Sequence, residues 1–335
     1  MTLYLGNKPI GICKIVEVLK KPDEWKPNPK WWDIRKILDE DTRDYKGKVG
    51  VILYNFNDVS DFQLSSSGMT AVATSDGAFY SYADNGSKVS HNWDTTQDKD
   101  DGRGFKTRWV IYYYTTDTTS DTFKQADVKF GWAYNYIAYL VLRINCSSGS
   151  YFCDSQRSLE AIDNVGYAIN GTNFNSFCSS CNSLTELPDG LNTSNGTIFN
   201  SFCSGCYSLT RLPDGLDTSS GTTFNSFCSN CFPMQEASEI TMSANTTNYT
   251  SKYSGPFNSV TWLETVLLTL PSNTNFWLDM STRISIESFR YVADHAPDVT
   301  ATPRTLTVGS TNITRINEAD PTIITDLNAK GWTVA

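Results

Sequence analysis

The chain is 335 residues long, enough for two or three domains and a real core, and sets 36 acidic against 27 basic residues for a net charge of −9. An acidic chain lacks the basic footprint that nucleic acid requires, which argues against DNA or RNA as a partner. No apolar run approaches the roughly 20 residues of a membrane span. The opening Met1-Thr-Leu-Tyr-Leu-Gly-Asn-Lys-Pro-Ile lacks the apolar core and cleavage site of a signal peptide, so the usual secretory route is not expected.

Charge is spread unevenly. Residues 1–50 hold 11 basic and 8 acidic side chains, whereas residues 151–335 hold 8 and 17. A basic beginning suits attachment to an acidic partner, with the acidic remainder facing outward; an uneven solvated surface explains the same pattern equally well.

In chain order, residues 3–19 alternate apolar and polar and read as strands about a turn at Gly6-Asn7. Lys21-Pro-Asp-Glu-Trp-Lys-Pro-Asn-Pro-Lys30 follows, where three prolines forbid a continuous helix and predict a stiff linker. Residues 31–42 fit a short helix with Ile34, Ile37 and Leu38 on one face. From 48 to about 145 the aromatic and β-branched runs Val49–Phe56, Gly77–Tyr82, Thr107–Tyr114 and Tyr136–Leu142 predict strands separated by polar turns. Such spacing points to a β-sandwich or small barrel.

The dominant signal is an internal repeat. Phe152-Cys-Asp-Ser-Gln-Arg-Ser-Leu159, Phe177-Cys-Ser-Ser-Cys-Asn-Ser-Leu184, Phe202-Cys-Ser-Gly-Cys-Tyr-Ser-Leu209 and Phe227-Cys-Ser-Asn-Cys-Phe-Pro-Met234 align at intervals of 25. Leu187-Pro-Asp-Gly-Leu191 matches Leu212-Pro-Asp-Gly-Leu216, and Phe174, Phe199 and Phe224 keep the period. This period lies within the leucine-rich-repeat range. A single repeat cannot bury its own apolar edge, so stacking is expected. Beyond 251 the register is lost, although Trp262–Pro271 reads as a longer repeat. Ser285–His295 has Ile286, Phe289, Val292 and Ala293 at helical spacing, Thr305–Val308 reads as a strand, and Asn317 is placed to cap a last helix reaching about Lys330.

At Phe-x-x-Cys-x-Ser-Leu-Thr-x-Leu-Pro-Asp-Gly the chain resembles the BspA-like leucine-rich repeats of bacterial surface proteins. Phe177, Cys181, Leu184 and Leu187 occupy the inward positions of that motif, as do Phe202, Cys206, Leu209 and Leu212. The tail, from Ile284-Ser-Ile-Glu-Ser-Phe to Lys330-Gly-Trp-Thr-Val-Ala, resembles the end of such repeats in phages of gut bacteria. Leu3-Tyr-Leu-Gly-Asn-Lys is more distantly similar to the start of phage fibre and appendage proteins. The resemblance implies adhesion and protein contact; without a recognised signal peptide or wall anchor, it points to a virion component.

Seven cysteines at 153, 178, 181, 203, 206, 228 and 231 form columns under this period. Two adjacent pairs spell Cys-x2-Cys-x21-Cys-x2-Cys, just beyond zinc-ribbon spacing. Stacked repeats put like residues roughly 5 Å apart, which makes rows instead of a tetrahedral cage. A buried thiol ladder is therefore favoured over disulfides between repeats or a metal site, and no cofactor is expected. Asp94 to Asp101 is rich in carboxylates but lacks the closing Glu of a calcium loop. His91 and His295 stand near no nucleophile motif, and no pair of carboxylates is singled out for glycan cleavage.

The expected architecture is mostly β with some α+β character: a β-sandwich-like domain, a short leucine-rich-repeat solenoid and an α/β cap. Its expected parts are an anchor strand and linker at 1–30, a β domain at 31–148, repeats at 149–251, and an atypical repeat with the cap at 252–335. Recognition is expected on the concave face of the repeats, at Asn182, Tyr207 and Phe232 in one column and Glu186, Arg211 and Glu236 in another. The expected function is non-enzymatic: a phage virion fibre or appendage, held to virion proteins by its N-terminal segment, a homotrimer by analogy, touching a host protein or glycan. A bacterial surface adhesin is the alternative, and a glycan depolymerase a more distant one.

Overall fold

A computed structural model describes residues 149–163, 171–187, 191–242, 245–247 and 249–335, together with the backbone of short strands between Tyr4 and Cys146. The linker at 21–30 and the helix expected at 31–42 lie outside the described residues.

β1 (Tyr4–Leu5) and β2 (Lys8–Pro9) pair antiparallel, with Gly6-Asn7 between them in sequence. The aromatic runs supply β3 (Lys48–Tyr54), β5 (Ala78–Tyr82), β8 (Lys106–Tyr114) and β10 (Ile137–Leu142). Shorter pieces are β4 (Met69–Ala71), β6 (Lys88–Asn92), β7 (Lys99–Asp100), β9 (Thr122–Phe123) and β11 (Asn145–Cys146). β10, β3, β8 and β4 are successive antiparallel neighbours in a six-stranded sheet, and β7 also pairs with β8. The sheet crosses the boundary expected at 148: its far edge is β12 (Ala161–Asp163), which belongs to the first repeat and runs parallel to β10. The first repeat in turn accepts from the second, Thr185 N–H donating to Glu160 O at 3.2 Å. The β domain and the repeats therefore share one hydrogen-bonded edge.

Successive repeats stack in register. Cys153 N–H donates to Phe177 O, Cys178 to Phe202 O and Cys203 to Phe227 O at 2.7–2.9 Å. Isolated parallel bridges join Asn173 to Ile198 and Ile198 to Thr223, making a second row of backbone pairing. Inside, Phe152, Phe177, Phe202 and Phe227 form a column with ring centroids 5.1–5.3 Å apart. Phe174, Phe199 and Phe224 form another at 5.4–5.5 Å, with neighbouring ring planes within 7° of parallel. Burial of each ring contributes about 2–3 kcal/mol, and each aromatic pair adds roughly 0.5–1.5 kcal/mol.

The bend carrying Phe-Cys-x-x-Cys requires left-handed backbone at two places in each repeat. One row is Tyr151, Ser176, Ser201 and Ser226; the other is Ser155, Ser180, Gly205 and Asn230. Small polar residues and glycine bear that conformation at least cost, which explains why these rows hold Ser, Asn and Gly almost throughout.

The stack continues past 251. Cys228 N–H donates to Pro256 O and Asn230 N–H to Asn258 O, both at 2.8 Å, and Ser259 continues the left-handed row begun at Ser155. β13 (Glu236–Thr241) pairs parallel with β14 (Thr265–Thr269), Glu236 facing Thr265, so this repeat spans 29 residues where the earlier ones span 25. Phe257, Val260, Leu263 and Val266 take the inward places that Cys228, Cys231, Met234 and Ala237 hold in the repeat before.

The C-terminal part closes this end. α1 (Ile286–His295) begins at Ser285, whose hydroxyl accepts from Ser288 N–H, and buries Phe289, Val292 and Ala293 beside β14. β15 (Phe276–Trp277), β16 (Arg304–Thr307) and β17 (Trp332–Val334) form a parallel sheet. The expected final helix is in fact two, α2 (Ser310–Ala319) and α3 (Thr322–Ala329). Asn317 is therefore an exposed residue within α2 and not a cap. The chain breaks at Asp320-Pro321, where the proline cannot continue α2 and the Asp320 carboxylate accepts from the N–H of Thr322.

Candidate functional site

The repeat Cys-x-x-Leu places one residue, just after the second cysteine, at the rim of each bend. Because the cysteine before it and the leucine after it point inward, this residue points out. In the third and fourth repeats it is Tyr207 and Phe232, exposed by 51% and 45% although the repeats around them have sealed interiors. Their rings stack on one another, centroids 5.5 Å apart and planes 23° from parallel. Asn182, the equivalent in the second repeat, is half-buried, and its amide, in the orientation that satisfies both partners, donates to Ser180 O and Gly205 O at 3.1 Å. It supports the bend beneath Tyr207, leaving the aromatic column with two members.

The second expected column lies on the strand segment. Leu184 and Leu187 are buried, as are Leu209 and Leu212, while Thr185 and Thr210 are exposed and Glu186 and Arg211 half-buried. Arg211 bridges in parallel to Glu236 through the backbone, and its guanidinium reaches Asp214 at 3.4 Å. Arg211 and Glu236 thus stand on the edge shared by the third and fourth repeats.

The fifth repeat adds residues that the 25-residue period did not select. Trp262, between Val260 and Leu263, sits one position along from the Phe232 column and is 47% exposed. The Arg283 guanidinium lies over its ring, 3.9 Å from the centroid, and reaches Glu264 at 3.4 Å. One rim of the stack thus carries Tyr, Phe and Trp on three successive repeats. The signal in the sequence was the three-residue spacing of Phe257, Val260, Leu263 and Val266, which repeats that of Cys178, Cys181, Leu184 and Leu187.

The seven cysteines from Cys153 to Cys231 are buried and free. The Cys181 thiol donates to Cys153 O at 2.8 Å, Cys206 to Cys178 O at 2.9 Å and Cys231 to Cys203 O at 2.9 Å. Each second cysteine thus uses its proton to tie its bend to the one before. Gln156, in the corresponding place of the first repeat, is buried as well. Burial pushes the thiols of Cys153, Cys178, Cys228 and Cys231 above the ordinary cysteine value, and that of Cys203 up to about 12. For Cys206 the larger cause is its hydrogen bond with Cys203. A raised value disfavours the thiolate, the form in which cysteine ligates metal or attacks as a nucleophile.

Among the other candidates, His295 ends α1 with its ring stacked on Tyr291, centroids 3.9 Å apart, and its Nδ1 is 2.9 Å from Tyr291 O. His91 lies on the backbone of β6 and Asp100 on that of β7; the rest of the 94–101 segment, apart from Lys99, falls outside the described residues. Among the described residues, no group of three or more His, Cys, Asp or Glu is arranged to hold a metal ion, and no helix is long and apolar enough to cross a membrane. No family model, curated protein or solved structure matches the chain.

Proposed function

We propose that the chain is a non-enzymatic structural and binding protein, a fibre or appendage of a bacteriophage virion whose repeats touch a host surface molecule or neighbouring virion proteins. The observation that carries the reading is the exposed Tyr207–Phe232 pair, fixed on a stack whose interior is closed by Phe and Cys columns. Rigid aromatic side chains on a rigid support lose little freedom on binding and are the side chains that dominate interfaces. The BspA-like motif supports attachment as the role. The buried thiols, each second one engaged with a backbone carbonyl, support a non-catalytic reading, since none of them is exposed as a nucleophile. The N-terminal segment is the proposed link to the virion.

Cryo-electron microscopy of purified particles tests this reading. Density for residues 1–30 within a capsid or tail protein, with the repeats projecting outward, is the expected result. Recovery of the chain only from bacterial envelopes, and never with particles, would transfer the proposal to a cell-surface adhesin.

A further inference from the structure

The cysteine ladder is the largest set of reactive groups that attachment does not use, and its geometry carries a consequence for when the chain can fold. Cys178, Cys181, Cys203, Cys206, Cys228 and Cys231 are all 0% exposed. The three second-cysteine thiols also serve as hydrogen-bond donors, Cys206 to Cys178 O and Cys231 to Cys203 O at 2.9 Å, and Cys181 to Cys153 O at 2.8 Å. The ladder therefore requires both the sulfur and its proton. Before folding, the same residues are three Cys-x-x-Cys pairs on a flexible chain, the spacing at which a disulfide closes most readily.

We propose that the ladder is a one-way redox gate: the chain reaches its native stack only while these thiols are reduced, and once stacked it resists oxidation. In the unfolded chain, a small-molecule disulfide such as oxidised glutathione takes the thiols of Cys203 and Cys206 to a Cys203–Cys206 disulfide, releasing two molecules of glutathione. The S–S bond removes the Cys206 proton that Cys178 O accepts and fixes two sulfurs that the packed column positions separately. Three such pairs multiply the obstacle, since six cysteines can pair in 15 ways. In the folded chain none of the seven ladder sulfurs from Cys153 to Cys231 is open to attack, and exchange requires access as well as a thiolate. A protein of this kind is assembled in a reducing compartment and afterwards tolerates an oxidising one with its ladder thiols intact. The inference is independent of what the aromatic rim binds.

The test uses the full chain in two arms. Native protein is held with oxidised glutathione, then alkylated, and each cysteine is mapped by mass spectrometry; the seven from Cys153 to Cys231 should remain reduced for hours, and should oxidise within minutes in guanidinium. In parallel the chain is synthesised in a cell-free system with dithiothreitol or with oxidised glutathione. Folded yield should fall at least tenfold under oxidant, with disulfides mapped to 178/181, 203/206 and 228/231, and added dithiothreitol should restore it. Ladder cysteines that oxidise at the same rate in native and denatured protein would overturn the proposal, as would equal folded yields in the two syntheses.

Discussion

The ring of Phe224 fills the space that a side chain on Gly221 would need: a Cβ there would fall 2.2 Å from Phe224 Cζ. The ring cannot withdraw freely, because Phe199 stacks on it at 5.4 Å and Phe227 meets it edge-on at 5.7 Å. Gly221→Ala is therefore expected to destabilise the stack by about 1–3 kcal/mol, the usual cost of overpacking. Urea unfolding should show a lower midpoint for it, while the exposed neighbour Ser220→Ala stays within about 0.5 kcal/mol of the parent. Equal midpoints for the two variants would contradict the packing described.

Arg290 ties the C-terminal helices together, reaching Asp294 at 2.8 Å, Asp326 at 2.7 Å and Asp320 at 3.7 Å, and donating to Thr322 Oγ1 at 3.1 Å. Arg290→Met keeps the apolar stem and removes the fork. The expected loss is about 1 kcal/mol, the upper range for partly exposed ion pairs. Amide exchange in α3 should quicken before that in β14. Lysine should not rescue the helix, because one ammonium cannot take the place of a planar fork with several partners.

Acid should weaken the same region. The backbone N–H and hydroxyl of Thr300 hold the Asp298 carboxyl below its ordinary value, and the Thr322 hydroxyl does the same for Asp320. A carboxyl depressed on folding binds its proton more readily in the unfolded chain, so stability rises with pH through the ordinary carboxylate range near about 4. It is fully present above that range and lost as pH falls through the lowered values. Thermal midpoints of the Asp298→Asn/Asp320→Asn variant should lie below those of the parent at pH 7 and converge with them near pH 2. A constant gap across that range would show that the carboxylates' charge is not the cause.

Truncation of the aromatic rim should separate binding from folding. Tyr207→Ala/Phe232→Ala removes an exposed pair and should cost no more than about 1 kcal/mol of stability. Adsorption of particles bearing it to host cells should fall at least tenfold if these rings anchor attachment, in line with roughly 1.4 kcal/mol per factor of ten. Trp262→Ala should lower adsorption further. Unchanged adsorption in both variants would remove the rim from the proposed function.

What the sequence made legible follows from how strictly each pattern is kept. Phe177, Cys181, Leu184 and Leu187 stand at the same phase as Phe202, Cys206, Leu209 and Leu212, and the two sets are buried in adjacent layers. Tyr207 and Phe232 could be picked out because the same phase leaves them at the rim. The fifth repeat was legible only in part, as a longer repeat over Trp262–Pro271; its start at Phe257 and Val260 was missed because it is four residues longer and replaces cysteine there. The Trp262–Arg283 pair joins residues 21 apart whose meeting depends on the course of the chain between β14 and α1, which no local pattern encodes. Asn317 was read as a cap from residue type alone, whereas Pro321 marked the actual start of α3, proline being favoured at the beginning of a helix.

The hydrogen bonds and ring stacks between repeats all run along the stack, from Cys153 to Phe177 O and onward to Cys228 and Pro256 O. Tension applied between the β10–β12 junction and the C-terminal sheet would meet these bonds end-on, one interface at a time, while a sideways push would meet many at once. Under a pulling force the stack should peel repeat by repeat, each step releasing about 25 residues of slack and the last interface 29. A stack made this way yields in increments, which is the behaviour of a shock absorber and not of a rigid strut.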